Sequence, residues 1–116
     1  MSILKFLYSK NSLKRKILDI KDEMKDIVSK TCKEEVRIDW FGAYDINPKH
    51  LAFWICIQTD VMKEKLIANK ELYLKLRHLL EVYDYPNEAK KYVFIGFESQ
   101  ETVDRESDGN WYLHYK

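Results

Sequence analysis

The stretch Leu51-Ala-Phe-Trp-Ile-Cys-Ile-Gln-Thr-Asp60 constrains the fold more than any other part of the chain. It is the longest apolar run, dense in aromatic and β-branched side chains, with Asn47-Pro48 before it and an acid after it. Such a run reads as a buried strand handing over directly to a helix, with Asp60 placed to cap that helix. The remaining elements follow from what is needed to cover the two sides of this strand.

Upstream, Asn11 or Ser12 caps a helix in which Leu13, Ile17, Ile20, Met24, Ile27, Val28 and Cys32 recur at steps of three and four. Lys14, Arg15, Asp22, Lys25, Asp26 and Lys30 form its solvated side, and Asp26 to Lys30 is an (i, i+4) pair worth a few tenths of a kcal/mol. Before it, residues 2–8 form a helical turn that docks Ile3, Phe6 and Leu7 on the body. Glu35 to Ile46 reads as a strand with Val36, Ile38, Trp40 and Tyr44 on one side. Asp45 to His50 is the turn back, in which Pro48 sets φ and Asn47 bonds its own backbone.

After Asp60, a second helical stripe runs through Met62, Leu66, Tyr73, Leu76, Leu80 and Tyr83, widened by Leu72 and Leu79. Asn69 falls in that stripe and marks a bend, and Pro86 helps end it. Lys91 to Glu98 alternates as a third strand, with Val93, Ile95 and Phe97 against Tyr92, Phe94 and Glu98; Gly96 suggests a bulge or a close neighbour. Ser99 to Asp108 is an acidic loop or short helix capped by Ser99 and stopped by Gly109, and Trp111 to Tyr115 closes the chain as a fourth strand.

Parity decides the pairing, because a one-residue slip sends every side chain to the other face. With Asp45 opposite His50, Tyr44 meets Leu51, Trp40 meets Ile55, Ile38 meets Ile57 and Val36 meets Thr59. The slipped register would bury Asp39 or Arg37 among aliphatic groups, which costs several kcal/mol for an unpaired charge. The expected fold is therefore α+β, an αββαββ two-layer sandwich whose four-stranded, mostly antiparallel sheet carries two helices on one face. This is a circularly permuted ferredoxin-like arrangement with strand order 3-4-2-1, and a meander in the order 1-2-3-4 is the alternative.

A chain of 116 residues is one domain, 1–116, long enough to bury a core without a metal or disulfide staple. The net charge of +1 argues against a nucleic-acid binder held by electrostatics. The charge is uneven: nine Lys/Arg against four acids in residues 1–33, and two against five in residues 92–116. Cys32 and Cys56 stand far apart and read as buried thiols in a reducing compartment. The N-terminal apolar run is interrupted too soon for a signal sequence, and no stretch approaches the ~18 apolar residues of a membrane span, so a cytoplasmic location without membrane contact is expected.

The alternation leaves Arg37, Asp39, Phe41, Trp54, Cys56, Gln58, Tyr92, Phe94, Glu98, Tyr112 and His114 on the face away from the helices. Rings mixed with acids, one Arg and one His make a contact surface rather than a solvent surface. Single strands of nucleic acid also stack on such rings, but Asp39 and Glu98 oppose phosphate. Cys56, His114 and Asp39 share the face without a nucleophile elbow or oxyanion loop, so no catalytic residue is assigned. Asp104 to Gly109 begins like a calcium loop, but its twelfth position is Tyr115 rather than a bidentate Glu. There is no Walker loop, dinucleotide fingerprint or HExxH, so neither metal nor cofactor is expected. The expected function is a non-enzymatic protein-binding module, of the cognate-inhibitor or immunity kind. It would engage a partner, itself or another chain, through Asp39, Phe41, Trp54, Tyr92, Phe94, Glu98, Tyr112 and His114, with Glu101 and Asp104 of the acidic loop. The alternatives are a small-molecule or nucleotide pocket, or weak enzyme, walled by Asp39, Trp54, Tyr112 and His114, and a homodimer whose role lies elsewhere.

Overall fold

The apolar run forms β2 (Ala52–Ile57), the middle strand of a three-stranded sheet. In the computed structural model, which describes residues 3–115 and the side chains from Lys5 onward, β1 (Arg37–Phe41) pairs with it antiparallel and β3 (Phe94–Ser99) parallel. The expected four-stranded, mostly antiparallel sheet with two helices is therefore not the fold, and neither order 3-4-2-1 nor a four-strand meander applies. The fold is α+β, with a mixed three-stranded sheet and five helices among the described residues. A parallel neighbour needs a long crossover, and the two helices after β2 supply it.

Cap chemistry sets the helix ends. In α1 (Leu13–Ser29) the Ser12 side chain accepts from the Arg15 N–H. Thr59, not Asp60, caps α2 (Asp60–Ala68), accepting from the Met62 N–H. The bend expected at Asn69 is a full break, because its side chain accepts from the Leu72 N–H and starts α3 (Lys70–Val82). Ser99 caps α4 (Gln100–Ser107) in the same way. Asp108 and Gly109 then take positive φ, and Asn110 accepts from the Leu113 N–H to start α5 (Trp111–His114). The expected fourth strand is thus a short helix: a capping residue and two left-handed ones precede it, and five alternating residues are too few to outweigh that.

The sheet's two faces divide as the alternation predicts. Ile38, Phe53, Ile55, Ile57, Ile95 and Phe97 join Ile17, Ile20, Met24 and Val28 of α1 and Leu72, Leu76, Leu79 and Leu80 of α3 in one buried cluster. Each large side chain there contributes roughly 1.5–3 kcal/mol. The register differs by two residues: Ile38 faces Ile55 and Trp40 faces Phe53. A two-residue slide keeps every side chain on its face, so hydrophobic parity alone does not detect it. Its cause lies in the connection. Gly42, at φ +116°, ends β1 at once, and a Cβ there would sit 1.8 Å from the His50 carbonyl oxygen. Residues 43–50 then form hydrogen-bonded turns and a 3-10 turn (Pro48–His50) instead of strand.

The N-terminal turn (Ile3–Leu7) is held by charge rather than by the expected apolar docking. Leu7 is 80 % exposed and Phe6 is exposed as well, whereas Lys5 is buried with its Nζ 2.9 Å from Asp19 and 2.7 Å from Asp22. The side chain of Ile3, expected to dock beside them, lies outside the described residues. Among the described residues no helix is long and apolar enough to cross a membrane.

Candidate functional site

The face away from α1 and α3 is not bare: α5 lies across part of it. Side chains alternating out of β1 and β2 meet the rings of residues 111–115. Arg37 donates to both carboxylate oxygens of Asp39 at 3.0 Å, and its guanidinium lies 4.5 Å from the centre of the Trp111 ring. The Tyr115 hydroxyl donates to Asp39 at 3.0 Å and lies 3.3 Å from Cys56 Sγ. Trp111 Nε1 donates to Gln100 on α4. His114 is clamped at both ring nitrogens, Nε2 2.7 Å from Glu98 and Nδ1 3.1 Å from Ser107 Oγ. Lys63 on α2 completes the Glu98 site at 3.0 Å.

The electrostatics follow from these contacts. Burial raises the Asp39 carboxyl, but the guanidinium and the Tyr115 hydroxyl outweigh it and hold the group below the ordinary carboxylate range. Glu98 behaves alike: burial is overcome by His114, the Ser99 N–H and Lys63. Burial pushes the Cys56 thiol up to about 11, leaving it protonated near neutrality. Burial and the neighbouring Cys56 and Asp39 raise the Tyr115 phenol as well.

Cys56 and Asp39 do come together, but the imidazole they would need for nucleophilic chemistry is engaged elsewhere, by Glu98 and Ser107. The Ser107–His114–Glu98 chain has the connectivity of a hydrolytic triad. Its acid is shared with Lys63, however, which stands 3.0 Å from the Glu98 oxygen that His114 leaves free. It fastens α5 to β3 through Glu98 and to α4 through Ser107.

Of the residues singled out from sequence, Asp39, Glu98 and His114 are drawn into this polar layer. Trp54 lies beside it, its ring 4.9 Å from Phe94 and 5.7 Å from Tyr115. Phe41 packs edge-on against Tyr115 at 4.9 Å, and Tyr112 is exposed on α5. Tyr92 stands apart in a 3-10 turn (Lys90–Tyr92), with Lys49 and Lys91 over its ring at 4.7 and 5.2 Å. The acidic loop is the helix α4, where Glu101 accepts from the Asp60 N–H and Asp104 from Gln100. Helical backbone there leaves no calcium loop, and no metal-binding group of three acids, His or Cys occurs among the described residues.

A polar network at the carboxyl ends of β2 and β3 escaped the sequence reading. Helices α2 and α4 start there side by side, where open parallel sheets present N–H groups to anions. The chain fills these positions itself. Glu34 accepts from the Gln58 and Thr59 N–H groups and the Thr59 hydroxyl. Asp60 accepts from the Ser99 and Thr102 hydroxyls and from Arg105, which hold its carboxyl far below its ordinary range. The cap residues Thr59 and Ser99 were the available signal; the acids that serve them from elsewhere carried none.

Two of the depressions on this side have aromatic walls. One, of about 400 Å³, lies beside β3 among Trp54, Ile67, Tyr73, Phe94 and Gly96. The other, of about 460 Å³, lies at the β1 edge among Lys21, Asp39, Trp40, Phe41, Trp111, Tyr112 and Tyr115. No protein-family model, no curated protein and no solved structure matches the chain.

Proposed function

We propose that the chain is a non-enzymatic protein-binding module whose contact surface is the aromatic ground beside β3. The observation that carries this reading is the exposed Phe94 ring at the start of β3, set beside an apolar depression. Phe94 is 47 % exposed, and Trp54, Tyr73 and Ile67 line the adjoining depression. Contiguous rings in a shallow depression are what a partner's anchor side chains bury against. The polar layer supports the reading from the other side, because its acids, imidazole and thiol are engaged with one another rather than presented to a substrate. Glu101 and Asp104 have internal partners, so the acidic segment contributes less than its sequence implied. A cognate-inhibitor role, such as toxin immunity, is compatible with a compact chain of this kind.

The test replaces Phe94, and separately the exposed Val61 on α2, with a photo-crosslinking benzoylphenylalanine and irradiates the protein in its own cells. A discrete adduct from position 94 only, lost in the Trp54→Ala background, supports the module. Equal labelling from both positions, or none, sinks it. An adduct with a second copy of the chain would assign the surface to a homodimer. A small-molecule site is the second reading, favoured by the depression at the β1 edge. Asp39 and Tyr112 of the expected pocket walls line it, whereas Trp54 and His114 do not.

A further inference from the structure

We propose that the depression at the β1 edge binds a planar aromatic ring carrying an anionic group. The proposal rests on the second reading above, that a small molecule enters here, and adds its chemistry. Trp40, Phe41, Trp111 and Tyr115 give the site aromatic walls, and a flat π-system gains most from walls of that kind.

Charge decides the sign of the ligand. The one carboxylate in the wall, Asp39, already receives two bonds from Arg37 and one from Tyr115, so it has little left for a cation. Lys21 also lines the site, and among the described residues it has no ion-pair partner. Two further cations border the walls: Lys14, with Nζ 4.6 Å from the Trp40 ring centre, and Arg37 against Trp111. A ring seated on these walls places its anionic group toward Lys21. Aromatic carboxylates and nucleotides share this chemistry.

The three tryptophans give the test its own control, since Trp40 and Trp111 line the site and Trp54 does not. Wild-type protein is titrated with indole-3-acetate, adenosine monophosphate, tryptamine and cyclohexaneacetate while the indole N–H resonances are followed by NMR. Indole-3-acetate or the nucleotide should shift Trp40 and Trp111 more than Trp54, and whichever binds tighter identifies the source of the anion. The cationic and the non-aromatic probes should bind at least tenfold more weakly. Lys21→Gln should weaken the anionic probe about two- to fivefold, as expected for a partly exposed ion pair. Tryptamine binding as tightly as indole-3-acetate would overturn the charge assignment while leaving a small-molecule site standing. No shift from any probe at its solubility limit would remove both.

Discussion

Replacing Gly96 by Ala tests how the aromatic ground beside β3 is built. The φ of Gly96 is not in the left-handed region, so the question is one of space. A Cβ would lie 2.5 and 2.6 Å from two carbons of the Phe94 ring and 3.2 Å from Trp54. Because Phe94 is 47 % exposed, its ring can swing into solvent, and the cost is then its contact with Trp54. Such an aromatic pair is worth about 0.5–1.5 kcal/mol. Removing a mid-strand glycine returns roughly 0.5–1 kcal/mol. Gly96→Ala alone should therefore change stability by between a gain of about 0.5 and a loss of about 1 kcal/mol. In the Phe94→Ala background the overlap with the ring is gone, only the 3.2 Å approach to Trp54 remains, and the same substitution should stabilise by up to about 1 kcal/mol. Urea unfolding of the four proteins, followed by far-ultraviolet circular dichroism, gives the coupling energy directly, expected near 1 kcal/mol. A loss above about 3 kcal/mol in both backgrounds, the scale of backbone strain or worse, would refute the reasoning, because the space over Gly96 would then be filled by something other than the ring.

Gly42→Ala should behave oppositely, costing more than about 3 kcal/mol in any background, because both its positive φ and the His50 carbonyl forbid a Cβ; a thermal melt near wild type would contradict this. Glu98 is held below its unfolded pKa, so its contribution to stability is complete above about pH 4.5 and is lost as pH falls through the folded value. Glu98→Gln should therefore flatten the acid limb of stability against pH, and an unchanged slope would count against the His114–Glu98–Lys63 cluster. With its thiol raised to about 11 and buried, Cys56 should resist iodoacetamide at pH 8 until urea unfolds the chain; rapid native alkylation, read by mass spectrometry, would contradict the packing of α5. The buried Tyr85 hydroxyl donates to the Pro48 carbonyl, so Tyr85→Phe should cost about 1–3 kcal/mol in urea unfolding.

What the sequence made legible was whatever depends on local period. Alternation in Arg37–Phe41, Ala52–Ile57 and Phe94–Ser99 assigns each side chain to its face, and the stripe from Leu13 to Val28 yields α1. Ser99 and Gly109 similarly mark the two ends of α4. Long-range geometry was not legible. The two-residue slide between β1 and β2 arises from an unforeseen contact between Gly42 and His50, and it leaves the hydrophobic pattern unchanged. Trp111 to Tyr115 alternates as well as any strand here, yet the cap at Asn110 and the left-handed residues before it decide for a helix.

That last difference changes what the second face can do. As a fourth strand, residues 111–115 would have widened the sheet and left Asp39, Cys56 and Glu98 facing solvent. As a helix they fold back over those groups, and Tyr115, His114 and Arg37 satisfy the acids that alternation alone exposes. The objection that Asp39 and Glu98 repel anions then loses its force, because each carboxylate is already matched by a cation or hydrogen-bond donors. The carboxyl ends of β2 and β3 are closed by the same economy, with Glu34 and Asp60 taking the donors a ligand would use. Polar groups are thus spent internally at the centre and top of the face, while the rings remain available at its two margins. Those margins are Phe94 beside β3 and Phe41 with Lys21 at the β1 edge, where the two proposed contacts lie.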